Sequence, residues 1–132
     1  LLVKVHGFNE NKDMVGCEDY NTWLKISRFT ENFFYLQKNL GYYSIHKNRI
    51  SSQDMTIPRS LAIEEFLSLL NKKQKTYLKA KFNYESGYFN YSQKKFEKGI
   101  SKFLVATREG SYLIKIKSII RIIQVCINRL FN

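Results

Sequence analysis

The stretch FNYESGYFNYSQKKFEKGISKFLVA, residues 82–106, constrains the fold more than any other part of this chain. It combines small residues with large apolar residues at helical spacing. The small residues are Gly87, Gly99 and Ala106, and the large ones are Phe96, Ile100 and Phe103. Small residues allow two helix backbones to approach closely, while side chains at i, i+4 and i+7 fill the seam between them. The stretch therefore predicts two antiparallel helices packed as a hairpin.

Polar and glycine-containing segments on either side set the bounds of this hairpin. The predicted elements are a turn over 71–75, a helix over 76–91, a turn over 92–95 and a helix over 95–108. Gly110 and Ser111 are then expected to end the second helix and to begin a last one. This last helix starts about 34 residues after the start of the hairpin, which is the spacing of a tetratricopeptide repeat. Such repeats are binding scaffolds, so the resemblance implies binding before it implies catalysis.

The last predicted helix, residues 112–130, is apolar on two faces. One face carries Leu113, Ile116, Ile119, Ile120, Ile123, Ile127 and Leu130, and the other carries Ile114, Ile122 and Cys126. A helix of this kind needs neighbours on both sides. We expect either a homo-oligomer formed through this helix or a shortened relative of a longer repeat protein. Its charged residues, Lys115, Lys117, Arg121 and Arg129, argue against a membrane span.

The net charge of +11 is concentrated in the second half of the chain. Residues 1–70 hold eight basic and eight acidic side chains, whereas residues 71–132 hold fourteen basic and three acidic ones. A field of this sign favours an acidic partner, either a protein surface or a nucleic-acid backbone. Composition thus points to a binding partner without fixing its class.

The cysteines and histidines are too few and too scattered for a zinc site or a disulfide scaffold. Cys17 and Cys126 have no cysteine near them in sequence, and His6 and His46 are the only imidazoles. Two reduced thiols are typical of a cytoplasmic protein. Residues 1–5 form too short an apolar run for a secretory signal, so a cytoplasmic location is predicted.

The first half predicts a helical region that ends at a polar connector. Apolar residues recur every three or four positions from Glu18 to Leu40, which favours a long helix, and a second helix is expected to end near Arg49 or Ile50. The connector SSQDMTIPRS holds the only proline of the chain. The predicted fold is all-α, with an N-terminal helical region over 1–57. A linker helix and about one and a half repeats follow over 58–132.

Three blocks in this order resemble the Rap family of bacilli, whose N-terminal helical bundle leads into tetratricopeptide repeats. VGCEDYNTWLKI, residues 15–26, is similar to the family's opening pattern. QKNLGYYSI, residues 37–45, is similar to its Q-D-L-L-L-Y-Y-S-L, and GYFNYSQKKFEKGISKF, residues 87–103, resembles its first repeat. The resemblance spans most of residues 15–110.

The Rap resemblance implies binding of a bacterial response regulator, with roles in quorum sensing and sporulation. Gln37 matches the glutamine of phosphatase members, where a carboxamide can orient water for in-line attack on an aspartyl phosphate. Leu40 and Tyr43 are the implied partner-binding residues. No cofactor is expected on this chain, because the receiver domain would supply Mg²⁺. The chain has fewer residues between Trp23 and Gln37 than the family, so the helical platform that presents Gln37 is expected to be incomplete. It also has fewer repeats, so regulation by a signalling peptide is not expected.

Two other functions remain open from the sequence. A non-catalytic adaptor would present a run of lysines to an acidic protein: Lys72, Lys73, Lys75, Lys79, Lys81, Lys94, Lys95, Lys98 and Lys102. RNA or ribosome binding would combine the same charges with interleaved aromatic side chains, and is the less favoured of the two, since aromatic residues on repeat helices usually pack in the core. Glycine-rich phosphate loops and nucleophile–histidine motifs are missing from the sequence, so no other enzyme class is indicated.

Overall fold

A computed structural model describes residues 1–45 and 50–130 of the chain. The fold is all-α, and no strand occurs in these ranges. The helices are α1 (Glu18–Ser27), α2 (Thr56–Ile63), α3 (Lys72–Ser92), α4 (Phe96–Glu109) and α5 (Tyr112–Leu130). Short 3-10 helices occupy Val3–Val5, Lys12–Met14, Ile50–Ser52 and Glu64–Leu69. The chain forms two compact units, residues 1–64 and residues 65–132, and each is described by itself.

The N-terminal unit is held together by a small core between its two α-helices and a 3-10 turn. Met14, Cys17 and Ala62 are buried in contact with one another. The buried side chain of Asn21 on α1 donates a hydrogen bond from Nδ2 to the carbonyl oxygen of Ala62 on α2, at 2.8 Å. This bond satisfies a buried polar group and fixes α2 against α1.

The division between the units follows α2, later in the chain than the boundary between residues 57 and 58 expected from the connector. Proline at position 58 lies inside the first turns of α2, where a missing backbone N–H is tolerated. Ala62, four residues later, is completely buried in the N-terminal core. The connector therefore leads into a helix of the first unit.

The predicted long helix from Glu18 to Leu40 is wrong, because α1 ends at Ser27 and residues 28–45 contain no helix. The hydroxyl of Thr30 accepts a hydrogen bond from the backbone N–H of Asn32 at 3.0 Å, and the N–H of Phe33 donates to the carbonyl of Glu31 at 3.0 Å. These local bonds compete with the i to i−4 bonds of a helix. Arg49, where the second helix was expected to end, lies outside the described residues.

The predicted hairpin over residues 82–106 is confirmed. The rings of Tyr84 and Phe103 lie 5.8 Å apart between their centroids, those of Tyr91 and Phe96 lie 6.0 Å apart, and Lys79 Nζ meets Glu109 Oε1 at 2.7 Å. The later a contact residue lies in α4, the earlier its partner lies in α3. The two helices are therefore antiparallel.

Two glycines face each other where α3 and α4 lie closest. A Cβ atom built on Gly87 would stand 2.8 Å from the ring of Phe103, and one on Gly99 would stand 3.2 Å from the carbonyl oxygen of Gly87. Phe103 and Ala106 are completely buried. The small residues thus make room for the phenylalanine ring that fills the seam.

Helix α5 runs parallel to α3 and antiparallel to α4. It contacts α3 through the clustered side chains of Ala80 and Ile114, and Asn128 Nδ2 donates a hydrogen bond to the hydroxyl of Tyr91 at 2.9 Å. The guanidinium of Arg121 lies 4.8 Å from the ring centroid of Tyr88. These contacts join residues separated by about 34 positions, the period of a two-helix repeat.

The predicted turn over residues 71–75 is wrong, since it contains the start of α3. Asn71 Oδ1 accepts from the N–H of Gln74 and Gln74 Oε1 accepts from the N–H of Asn71, both at 2.9 Å. This reciprocal capping box satisfies two backbone donors at the helix start. Among the described residues, no helix combines the length and the low charge needed to cross a membrane.

Candidate functional site

The residues carried over from the Rap resemblance all lie in the non-helical segment 28–45. Gln37, Leu40 and Tyr43 are exposed there. Because the segment is not helical, their spacing of three residues does not place them on one helix face. Gln37 is accessible to a partner, but no secondary structure presents it.

Segment 28–45 also exposes large apolar side chains in unusual density. These exposed residues are Phe29, Phe33, Phe34, Tyr35, Leu36, Leu40, Tyr42, Tyr43 and Ile45. Phe29 is covered on one face by the Lys4 ammonium, which lies 4.3 Å from the ring centroid. Contiguous apolar surface of this kind marks a binding segment more often than a solvated loop.

The second unit has a basic cavity of about 420 Å³ where α3 turns into α4. We use "basic cavity" for the space lined by Lys94, Lys95, Phe96, Glu97, Lys98 and Arg129. Four of these side chains are cationic and one is a carboxylate. Concave surfaces lined by one sign of charge concentrate the field and attract counter-ions. The cavity is therefore suited to carboxylate or phosphate groups.

The turn that opens the basic cavity has a defined backbone geometry. Lys94 adopts a left-handed conformation, with φ of 59°. Its N–H donates to the carbonyl of Tyr91, and that of Lys95 donates to the carbonyl of Asn90, both at 2.9 Å. This pattern is a Schellman motif, which usually has glycine at the left-handed position. It places three lysines around the start of α4, where no side chain caps the backbone N–H groups.

Arg129, near the end of α5, closes the other side of the basic cavity. Its Nη2 lies 3.2 Å from Oε1 of Glu97, and both side chains are largely exposed. An exposed ion pair contributes little to stability, about 0–1 kcal/mol. An incoming anion could therefore compete with Glu97 for Arg129.

The structure groups only part of the predicted lysine run. All nine lysines are exposed, but only Lys94, Lys95 and Lys98 line the basic cavity. Lys79 forms an ion pair with Glu109 instead. Arg129 was not among the predicted binding residues. The 34-residue offset between α3 and α5 is the signal that could have found it, because it places the end of α5 beside the turn after α3.

Three of the aromatic side chains interleaved with the lysines are engaged within the unit. Tyr84 packs against Phe103, Tyr91 packs against Phe96, and Tyr88 is covered by Arg121. Stacking of bases requires an open ring face beside the cationic groups. This packing favours a carboxylate ligand over RNA.

The thiols and the acidic side chains do not assemble into a reactive centre. Burial raises the pKa of the Cys17 thiol above its ordinary value; Asp19 and Glu18 act in the same direction, and Arg59 opposes them. A buried thiol with a raised pKa is a poor nucleophile. In the ranges that the structure describes, no three His, Cys, Asp or Glu side chains gather as possible metal ligands; His46 lies outside those ranges.

The sequence and the fold were compared with known proteins. No protein-family model, no curated protein and no solved structure matches this chain.

Proposed function

We propose that this chain is a non-catalytic adaptor that binds an acidic segment of a partner protein at the basic cavity. The observation that carries the proposal is the convergence of Lys94, Lys95, Lys98 and Arg129 on one concave surface. Carboxylates of the partner would displace the exposed Glu97 from Arg129 and gain three lysines nearby. Charge of this kind speeds encounter and selects against basic partners.

The arrangement of α3, α4 and α5 supports a tetratricopeptide-like scaffold for this adaptor. The two antiparallel contacts and the offset of about 34 residues are those of one helical pair followed by the first helix of the next. In such arrays each element contacts only its neighbours, so one face stays available for ligands. The proposal implies a cytoplasmic protein that recognises other proteins.

A fluorescently labelled octaglutamate peptide tests the adaptor. We expect binding to weaken at least tenfold between about 0.05 M and about 0.3 M salt, because exposed charges are screened over about 10 Å or less. The double substitution Lys95→Glu and Lys98→Glu should abolish binding. The matched control, Lys72→Glu with Lys73→Glu, reverses the same charge on exposed residues at the other end of α3 and should retain most of it.

Two outcomes would contradict the adaptor. Equal losses in the two double variants would mean that net charge, and not the cavity, attracts the peptide. Tighter binding of a single-stranded oligouridylate than of octaglutamate, lost in the same cavity variant, would assign the site to RNA.

A second candidate is the binding of a response regulator through segment 28–45, with Gln37 assisting hydrolysis of the aspartyl phosphate. The specific observation in its favour is that Gln37 is exposed in a segment whose exposed apolar side chains could dock on a receiver domain. The partner would supply the acidic pocket and Mg²⁺, and the carboxamide would hold the attacking water in line.

Phosphate release from phosphorylated receiver domains tests this second candidate. We expect Gln37→Ala to slow release at least about tenfold, since positioning of water is lost. Asn39→Ala, which removes an exposed carboxamide from the same segment, is the matched control and should have no effect. Identical rates for the native chain and Gln37→Ala would eliminate the catalytic role, and binding without hydrolysis would leave a sequestering partner.

A further inference from the structure

The outer face of α5 carries an apolar stripe with the spacing of a coiled-coil seam. The stripe consists of Leu113, Ile116, Ile120, Ile123 and Ile127, which follow one another at intervals of three, four, three and four residues. Every one of these side chains is exposed. Sustained three–four spacing is what a second helix needs in order to pack along the whole length of the first.

This stripe is opposite to the face that α5 buries within its own unit. Ile114, Ser118 and Val125 are buried, and Ser118 satisfies its hydroxyl by donating to the carbonyl of Ile114 at 2.8 Å. With about 3.6 residues per turn, those three positions centre roughly 180° from the centre of the stripe. The stripe is therefore not part of the core formed with α3 and α4.

Positive charge borders the stripe on one side. At about 100° per residue, Lys117 lies about 40° beyond the edge formed by Leu113. The exposed Ile119 lies about 40° beyond the opposite edge, and Lys115 lies about 40° farther still. Lys115 and Lys117 are both exposed, and α5 contains no acidic residue. Lys117 holds a position that, in paired helices, selects the charge of the partner.

The charge pattern decides between the two obvious occupants. A second copy would bring another Lys117 and another strongly basic unit to the same interface, since residues 71–132 hold fourteen basic and three acidic side chains. Like charges brought together at an interface disfavour pairing. An amphipathic helix with an acidic flank would match both the stripe and its basic border at Lys117.

We propose that the outer face of α5 docks an amphipathic helix of a partner protein, with aliphatic residues at three–four spacing and glutamate or aspartate along the edge that faces Lys117. The stripe spans four turns of α5, about 21 Å, so the partner helix needs about fifteen residues. The site goes beyond the adaptor proposed above, because the basic cavity selects an acidic segment by charge alone and this face selects a helix by its apolar pattern.

The probe is a three-heptad peptide with isoleucine and leucine in the seam positions and glutamate at both flanks, which does not pair with itself at neutral pH because its glutamates repel. We expect the native chain to bind it and to increase its helix content. Ile120→Asp with Ile123→Asp should weaken binding at least about thirtyfold, because the centre of an interface holds most of the binding energy.

A matched control separates the stripe from general exposure. Leu104 on α4 has 46% of its surface exposed, against 48% for Ile120 and 52% for Ile123. Leu104→Asp should therefore change binding by no more than about twofold. If the aspartate pair perturbs folding, Ile120→Ala with Ile123→Ala preserves helix propensity and should weaken binding about tenfold.

Charge reversal tests the basic border. Lys117→Glu should weaken binding of the acidic peptide about fivefold and should create binding of its counterpart with lysine at the flanks. Lys115→Glu, which lies farther from the stripe, should change binding by no more than about twofold. Unchanged binding of the acidic peptide in Lys117→Glu would overturn the assignment of an acidic helix.

The remaining outcomes separate this proposal from the basic cavity and from self-association. Loss of binding in Lys95→Glu with Lys98→Glu, but not in the Ile120 and Ile123 variants, would place the peptide in the cavity and overturn this proposal alone. Sedimentation of the native chain as a dimer that Ile120→Asp with Ile123→Asp dissociates would assign the face to a second copy. If the native chain does not bind the peptide at all, the proposal of a helix-docking face is also overturned. The test of the adaptor with octaglutamate is independent of that result.

Discussion

Two aromatic-rich stretches of this chain differ in how far their aromatic side chains are buried. Segment 28–45 exposes its phenylalanine and tyrosine side chains, whereas the pair α3–α4 buries Phe103 completely and packs Tyr84 against it. Both stretches have apolar residues at helical spacing. The difference is that Phe103 faces Gly87, whereas the described rings of segment 28–45 are exposed. Aromatic residues build a core only where a partner backbone can come close.

Replacing one buried and one exposed ring gives the largest expected contrast between these stretches. Phe103→Ala should lower the free energy of unfolding of the second unit by about 3–5 kcal/mol, because it removes a fully buried ring and leaves a cavity. Phe34→Ala, in segment 28–45, should change the free energy of unfolding of the first unit by less than about 0.5 kcal/mol. Urea denaturation followed by far-ultraviolet circular dichroism measures both. A destabilisation by Phe34→Ala comparable to that of Phe103→Ala would mean that the first segment is packed in solution.

Adding one methyl group to a glycine sharpens the same comparison. A Cβ on Gly87 would meet the ring of Phe103 at 2.8 Å, whereas nothing lies within 4 Å of one on Gly41. Overpacking costs about 1–3 kcal/mol, and the better helix propensity of alanine offsets about 1 kcal/mol of that. Gly87→Ala should therefore lower the free energy of unfolding of the second unit by up to about 2 kcal/mol. Gly41→Ala should change the free energy of unfolding of the first unit by less than about 0.5 kcal/mol.

The same denaturation measurement decides whether close approach is what the glycines provide. If Gly87→Ala stabilised the chain as an ordinary helix substitution does, the seam between α3 and α4 would have to be wider than the structure describes. Combining Gly87→Ala with Phe103→Leu, which shortens the opposing side chain, should recover part of the loss, because the two positions share one contact.

The helices of the second unit could be predicted from sequence because their signals are local. Gly87, Gly99 and Phe103 specify a hairpin through spacing alone, and Gly110 marks the break before α5. The start of α3 was predicted wrongly, since residues 71–75, NKKQK, contain no apolar residue and therefore looked like a turn. The pair Asn71 and Gln74 is a capping-box pattern, and attention to it would have moved the boundary correctly.

The first unit could not be predicted in the same way. Apolar periodicity continues past Ser27, but a periodicity pattern does not reveal the competing hydrogen bond that the Thr30 hydroxyl accepts. The site had a similar limit. Lys94, Lys95 and Lys98 are neighbours in sequence, whereas Arg129 joins them only through tertiary contact. The role of Gln37 rests on the Rap resemblance, which no other observation tests.

A smaller effect is expected at the turn of the hairpin that the second unit forms. Lys94 adopts a left-handed conformation that glycine adopts without strain. Lys94→Gly should raise the free energy of unfolding by about 0.5–1 kcal/mol, since relief of strain outweighs the extra freedom of glycine in the unfolded chain. Urea denaturation measures it, with Lys94→Ala as the control that removes the side chain and keeps the strain. Equal stability of the two variants would exclude backbone strain as the cause.

The smallest expected effect is a dependence of the first unit's stability on pH, through the buried thiol of Cys17. Burial raises the pKa of Cys17, so the neutral thiol is favoured in the folded first unit more than in the unfolded chain. The resulting stability is fully present below about pH 9 and is lost as the pH rises through the folded value. Trp23, the only tryptophan, lies on α1 and reports unfolding of this unit by fluorescence. With Cys126→Ala in the background, the native Cys17 chain should lose stability above pH 9 faster than Cys17→Ala. Parallel curves for the two chains would mean that Cys17 reaches solvent as readily in the folded unit as in the unfolded one.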